Sequence, residues 1–592
     1  MGPATTGNTE PVAICWHLPP DIATPIPIPL ESRMLFRTGL VLALASLPSL
    51  AQSPPAYDVI LSGGKIVDGT GNPWFYGDLA IRGGRIAKIT AAGALDKTEA
   101  RERIDVHGLV VAPGFLDIQG GTGGKSIGKI TQGVTSEFSG EGTTAAPAND
   151  RTRAGGENLG RAIKDKAFDG PHGFDAMLKT RQAAGSAVNF GSYVGASTVR
   201  QYVKGLAQGH ATSQEIAEMQ NLVRLAMEDG AFGVGSALIY PPGVYADEQE
   251  LAAITKPAGD LHGIYISHIR SEADNFLEAL DEAIAIGKKA GTPVEIYHLK
   301  ASGKRNWSKE AAALAKIDAA RAAGQDVGAC MYPYTAGATG LTSVLPPWTS
   351  ADGKLFENLA DPAIRARIKT EMAMENTDWE NMGLLAGPEG ILLTTLEKPE
   401  NKPYVGKRLS EIATMQGKDW RDAAMDIILT EHTRVETTYF MMSEENVQLQ
   451  IRKPWMKFGV DAGGADPEEL KAQGRLVHPR TFGTFPRILG RYVRDEKILT
   501  LEDAIRKMTS AVARRLSIYD RGLLQEGLAA DVTVFNPDTI IDVATYEDPD
   551  RLSIGVEHVF VNGIAVMRAG KVTGAMPGVA LRGPGYKPVP AQ

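Results

Sequence analysis

Apolar and polar positions alternate with a period of two from Tyr57. YDVILSGGKIVDGTG reads as a strand, a Gly-Gly turn and a second strand, and DLAIRGGRIAKI repeats the plan. IDVHGLVVAPGFLDI adds another strand and leads into a segment with a different rhythm. There, short apolar runs (SAVNFGSYVG, GIYISHI, TPVEIYHLK, QDVGACMYPYT) alternate with stretches of helical period such as SQEIAEMQNLVRLAMEDG, NFLEALDEAIAIGKKAG and SKEAAALAKIDAARAAG. Strand–helix units of this length predict a parallel sheet, and periodicity alone fits a closed barrel and a doubly wound sheet equally well. The rhythm breaks over about 345–430, which reads as an insertion that caps or rims the site. Near the far end, LAADVTVFNPDTI and VEHVFVNGIAVMRAGKVTG return to the period-two pattern, followed by a Pro/Gly-rich tail. The expected organisation is therefore a small β domain from both chain ends (57–112 and 525–592) around a central domain of 113–524.

The first 52 residues follow neither pattern. Residues 1–33 are Pro-rich and aperiodic, and are read as lying ahead of the native start. From Met34, an early Arg37, an apolar run over Gly39–Leu47 and small residues before a polar exit have the layout of a secretory signal peptide (34–52), with cleavage near Ala51. The apolar run is shorter than the ~20 residues of a spanning helix. The expected location is periplasmic or secreted, with no stable membrane insertion after cleavage.

Composition narrows the classes further. The chain of 592 residues is 43% hydrophobic and 22% charged, with a formal net charge of −8 and no basic cluster, which argues against a nucleic-acid partner. Two cysteines, Cys15 in the tail and Cys330 just before Tyr-Pro-Tyr, support neither a disulfide framework nor a thiolate metal site.

Three positions carry candidate chemistry. His268 ends GIYISHI and His298 ends PVEIYHLK, each where an apolar strand gives way to a polar loop, and two such imidazoles on consecutive strands can converge on one metal ion. Asp461, between an apolar strand and Gly-Gly in KFGVDAGGADP, suits a metal ligand or a general base, and equally a turn aspartate.

IVDGTGNPWFYGDLAIRGGRIAKI, VVAPGFLDI, KITQGVTSEFSGEG, FGVGSALIYPPGVYADEQEL, ISHIRSE, YHLKASG, YPYTAGATGL, HPRTFGTFPRILGRYV and GLLQEGLAADVTVFNP together resemble the amidohydrolase superfamily. Within it, residues 57–590 are most similar to the N-acyl-D-amino-acid deacylase (D-aminoacylase) family. The resemblance implies an α/β fold, a (β/α)8 TIM-like barrel with a β-sandwich domain formed from both chain ends. It implies a metal-dependent hydrolase of C–N amide bonds, most directly of N-acyl-(D-)amino acids, with dipeptides and cyclic ureides as other amide substrates of the superfamily. His268 and His298 match the histidines that hold zinc. Asp461 matches the aspartate that takes a proton from the attacking water and passes it to the leaving nitrogen. Lys300 matches a substrate-binding position, Arg270 is placed to pair with a substrate carboxylate or to hold the site, and Tyr240 falls in a pocket segment. Two departures stand out. The His-x-His that usually follows Gly-Phe-(Ile/Leu)-Asp is replaced by Gln119 and Gly121, and GGTGG resembles a flexible linker. Where D-aminoacylases carry a cysteine ligand, Glu141 stands, one residue out of register. The expected cofactor is one zinc ion rather than two, held by Glu141, His268, His298 and Asp461, with a small amide substrate that bears a carboxylate. A secreted ligand-binding protein on a degenerate scaffold is the second expectation, suggested by the missing His-x-His.

Overall fold

The computed structural model describes residues 55–153, 166–375 and 377–588. Residues 34–52, expected to form a signal peptide, and the residues ahead of them lie outside the described residues. Among those described, no helix is long and apolar enough to cross a membrane.

The central domain is a ring of eight parallel strands: β1 (Phe115–Asp117), β2 (Val134–Ser139), β3 (Asn189–Ser192, continued past Tyr193 by Val194–Gly195), β4 (Gly233–Ala237), β5 (Ile264–His268), β6 (Val294–Ile296), β7 (Val327–Met331) and β8 (Met456–Phe458). β8 returns to β1 through the loops at their ends. The Asp461 amide donates to the Gln119 carbonyl at 2.7 Å, and the Val460 amide to Asp117 Oδ1 at 2.9 Å. Periodicity left barrel and open sheet undecided because closure lies in these few loop bonds, which leave no repeat in the sequence.

Local chemistry sets the outer helices. Thr212 and Glu215 form a reciprocal capping box at the start of Ser213–Glu228. Gly291, at φ 68°, ends Phe276–Ala290 in the left-handed conformation that glycine adopts most easily. The barrel interior is filled by Leu116, Ile118, Phe138, Tyr193, Ile266, Tyr297 and Cys330, and Val512 and Leu516 close it from a short helix. One charged layer interrupts this core: Glu295 on β6 accepts from Lys457 on β8 at 2.9 Å and pairs with Arg515 at 2.8 Å. Burying these charges is tolerable because each finds its partner.

The excursion between β7 and β8 is larger than the expected 345–430. It begins with Ala336–Gly340, which pairs antiparallel with Glu436–Phe440, itself paired with Ile391–Leu393. The segment has its own core, including Leu341, Leu355, Ile368, Leu393 and Ile428. Its first strand, AGATG, has no large apolar residues to alternate, so the pattern could not mark it.

The β domain takes strands from both chain ends. Nine strands share one sheet, and Val532–Phe535 pairs antiparallel with Val110–Pro113. Its second part stops short of the expected 525–592, because the sheet ends at Lys571–Val572. The tail beyond leaves the sheet and runs along the N-terminal side of the barrel strands. Gly578 donates to Ser186 O, Leu581 to Phe190 O and Gly583 to Gly230 O, at 2.8–2.9 Å.

Candidate metal centre

The candidate residues lie on the C-terminal rim of the barrel, where side chains leave the strands and face the loops. His268 ends β5, His298 follows β6 by two residues, Glu141 follows β2 by two, and Asp461 follows β8 by three. His298 (φ 30°) and Asp461 (φ 53°) both sit in the left-handed region. Non-glycine residues occupy it at a cost of about 1–3 kcal/mol, which the closed ring around them enforces.

Glu141, His268 and His298 converge. His268 Nδ1 lies 3.0 Å from His298 Nε2. Glu141 Oε1 is 3.3 Å from the first and 3.2 Å from the second. Among the described residues these three form the one group of His, Cys, Asp or Glu whose ligand atoms gather this closely. Ligands about 2.0–2.1 Å from a tetrahedral zinc ion stand roughly 3.3–3.4 Å from one another, so the observed spacings fit that ion.

A buried carboxylate holds the arrangement from behind. Glu272 Oε1 lies 2.9 Å from His298 Nδ1 and accepts from Lys300 Nζ at 2.6 Å. This contact leaves His298 Nε2 facing the cluster, the usual means of fixing a ligand tautomer. Burial raises the Glu272 carboxyl, but Lys300 and the two imidazoles outweigh it and hold the group at about 2. Burial and the Lys300 ammonium push His298 down, whereas Glu272, Glu141 and Asp461 lift it to about 9. Glu141 stays well below the usual carboxylate range despite its burial, because both imidazoles face it. The cluster thus attracts positive charge, as a cation site must.

Asp461 stands beside this group rather than in it. Its Oδ2 pairs with Arg480 Nη1 at 2.8 Å. Burial raises its pKa, opposed by Arg480, so the carboxylate is a stronger base than an exposed aspartate. Arg480 stacks its guanidinium over the Tyr332 ring at 4.5 Å.

Lys300 and Tyr240 line a cavity of about 390 Å3 that opens onto the cluster. The Tyr240 hydroxyl is 2.7 Å from Thr339 Oγ1 on the insertion. A neighbouring cavity of about 660 Å3 shares Thr143, Tyr240 and Pro241 with the first, and Leu345, Trp348 and Trp379 give it apolar walls. Arg270 borders this second cavity, but its guanidinium is committed elsewhere. It donates to Glu282 at 2.7–3.1 Å, to Val244 O at 2.9 Å and to Ala246 O at 2.7 Å. Of the two roles its sequence position suggested, the contacts are those of a residue that holds the site.

Glu272 and Arg480 were not singled out by sequence as parts of the site, and Gln119 was noted only as standing in the place of a His-x-His histidine. Glu272 stands four residues after His268 in HIRSE, and Arg480 stands in HPRTFG. Each lies in a motif segment, but nothing in the pattern separates it from a solvated charge.

Residues 412–567 match the model of the amidohydrolase family. The D-aminoacylase of Alcaligenes xylosoxydans xylosoxydans is 34% identical over 542 residues, covering 90% of this chain and 99% of that one. A solved D-aminoacylase, described for its binuclear metal centre with one-metal activation and second-metal attenuation, superposes with a TM-score of 0.74 at 34% identity, covering 89% of this chain and 100% of that one. The N-acyl-D-glutamate deacylase of Bordetella bronchiseptica, complexed with zinc and a phosphonate that mimics the tetrahedral intermediate, superposes at 0.73 with 31% identity, covering 89% and 99%.

Proposed function

Because the chain belongs to the D-aminoacylase family of amidohydrolases, we propose that it hydrolyses the amide of N-acyl-D-amino acids with one zinc ion held by Glu141, His268 and His298. It is a metal-dependent hydrolase of carbon–nitrogen bonds other than peptide bonds. The observation that carries the reading is the convergence of two imidazole nitrogens and one carboxylate oxygen within 3.0–3.3 Å at the barrel mouth. Zinc at that point supplies a Lewis acid for the amide carbonyl and lowers the pKa of water towards about 7. Asp461 accepts the proton of the attacking water and returns it to the departing nitrogen, a role suited to a buried carboxylate with a raised pKa. Arg480 keeps that carboxylate in place. Tyr240 and Lys300 line the cavity beside the cluster, where Lys300, although held by Glu272, sets a positive charge on the wall for a substrate carboxylate. The larger cavity beside them, walled in part by Leu345, Trp348 and Trp379, has room for a bulky substituent on the substrate. A scaffold that has lost its chemistry is set aside, since relatives over nearly the whole chain are deacylases and the three donors are assembled. The Met34–Ala51 segment supports a periplasmic or secreted location, which N-terminal sequencing of the processed protein tests.

Elemental analysis of the purified protein, joined to an assay of free amino acid released from N-acetyl amino acids of both hands, tests the function. Bound zinc and turnover, both lost in His268→Ala, are expected. A protein that holds no metal after zinc is added back refutes it.

A further inference from the structure

Glu141 has two carboxylate oxygens, and they have different neighbours. Oε1 faces the two imidazoles. Oε2 accepts a hydrogen bond from the side-chain amide of Gln119 at 2.5 Å. A carboxylate placed between two cations would give one oxygen to each. Here the oxygen turned away from the histidines is taken by a neutral N–H donor.

Gln119 is held firmly in this role. It is 4% exposed and follows β1 by two residues. Its backbone amide donates to Asp117 Oδ1 at 3.1 Å, and its carbonyl accepts from the Asp461 amide at 2.7 Å. The side-chain oxygen lies 3.6 Å from Cys330 Sγ, a thiol that burial keeps protonated and so able to donate. The amide nitrogen is thereby turned towards Glu141.

Beyond Gln119 the loop is built without further ligands. Gly121 has no side chain, and a Cβ there would lie 3.0 Å from both Gly463 Cα and Glu137 Oε2. The buried Glu137 accepts from the Gly121 and Gly123 amides, each at 2.8 Å, and so spends its charge on pinning the loop. Space does remain on this side of Glu141, as a cavity of about 160 Å3 bordered by Gln119, Ser139, Glu141 and Asp461. The two carboxylates that reach it are engaged, Glu141 with Gln119 and Asp461 with Arg480. No second group of three ligands exists among the described residues.

We infer that Gln119 is a positioning residue that replaces a second cation: its amide binds the outer oxygen of Glu141 and keeps the site to one ion, whatever the zinc concentration. The inference rests on the proposed Glu141–His268–His298 ion. Zinc in excess then finds no second place beside Asp461 and leaves turnover unchanged. Gln119→Glu reverses the arrangement. It sets a second carboxylate against Glu141, and the two share that position comfortably only with a cation between them.

The test is metal stoichiometry. Chelator-stripped full-length protein is dialysed against zinc from equimolar to hundredfold excess, and the bound metal is counted per chain. The wild type is expected to reach a plateau at one ion. Gln119→Glu is expected to reach two, with turnover falling as the second ion binds. Cobalt substitution supplies an independent readout, magnetic coupling between paired ions appearing in the variant alone. Two ions in the wild type overturn the inference and leave the hydrolase reading standing, whereas none refutes the hydrolase reading itself. A folded Gln119→Glu that stays at one ion also overturns the assignment of Gln119. Should that variant fail to fold, Gln119→His takes its place with the same expectations.

Discussion

Replacing Glu272 by glutamine keeps the shape of the side chain and removes its charge. Two groups depend on that charge, His298 Nδ1 at 2.9 Å and Lys300 Nζ at 2.6 Å. Neither faces solvent: His298 and Lys300 are each 4% exposed. A hydrogen bond to a charged group contributes about 1.5–3 kcal/mol. Loss of the partner behind a ligand histidine lowers metal affinity about 10–100-fold, or about 1.4–2.8 kcal/mol at 1.4 kcal/mol per decade. The two magnitudes agree, so Glu272→Gln should weaken zinc binding by one to two decades. The buried Lys300 ammonium would also lose its counter-ion, a defect of about 3–5 kcal/mol in folding stability. Competition with a chromophoric chelator measures the first effect, and calorimetry with urea unfolding of the metal-free protein measures the second. Adding Lys300→Met to Glu272→Gln separates them, because it removes the orphaned charge and should recover stability without recovering affinity. Zinc affinity within twofold of wild type in folded Glu272→Gln would refute the argument that this carboxylate orients His298.

Glu380 gives a dependence on pH. Burial, reinforced by the negative charge of Glu272, raises its carboxyl to about 8. An acid that is neutral in the folded state and ionised in the unfolded state stabilises less as pH rises, so stability should fall from about pH 4.5 until pH passes about 8. Glu380→Gln should flatten that decline by a few kcal/mol in urea unfolding at pH 5.5, 7 and 8.5, and identical slopes in both proteins would count against it. Arg270→Ala should cost about 2–4 kcal/mol through the loss of its charged hydrogen bonds. It should raise KM equally for substrates with and without a carboxylate, whereas a rise confined to the carboxylate-bearing substrates would make Arg270 a recognition residue.

What the sequence made legible follows from where chemistry coincides with pattern. His268 and His298 were visible because a polar residue ending an apolar strand breaks the alternation at a defined place. Asp461 was visible by the same break but remained ambiguous, because turns also select aspartate. Glu141 emerged only from the resemblance and a shift of one residue, since SGEGTT has no period. Gln119 and Glu272 act on the ligands from behind, through single hydrogen bonds to Glu141 and His298 across chain separations of 22 and 26 residues. Such contacts carry no local signature. The tail was assigned to the sheet on composition, yet it is held by separate bonds to Ser186, Phe190 and Gly230 that impose no alternation.

The sheet built from both chain ends also fixes an order of events during synthesis. Val110–Pro113 emerges from the ribosome early, but its partner Val532–Phe535 is roughly 420 residues away. At about 5–20 residues per second, that edge waits some tens of seconds for its mate. An open apolar edge is a template for wrong pairing, and short length and proline are two ways of blunting it. The waiting strand has both, with four residues, VVAP, ending in Pro113. The last strands made thus complete a sheet begun by the first, and the nascent chain spends the interval with an edge too short to recruit a neighbour.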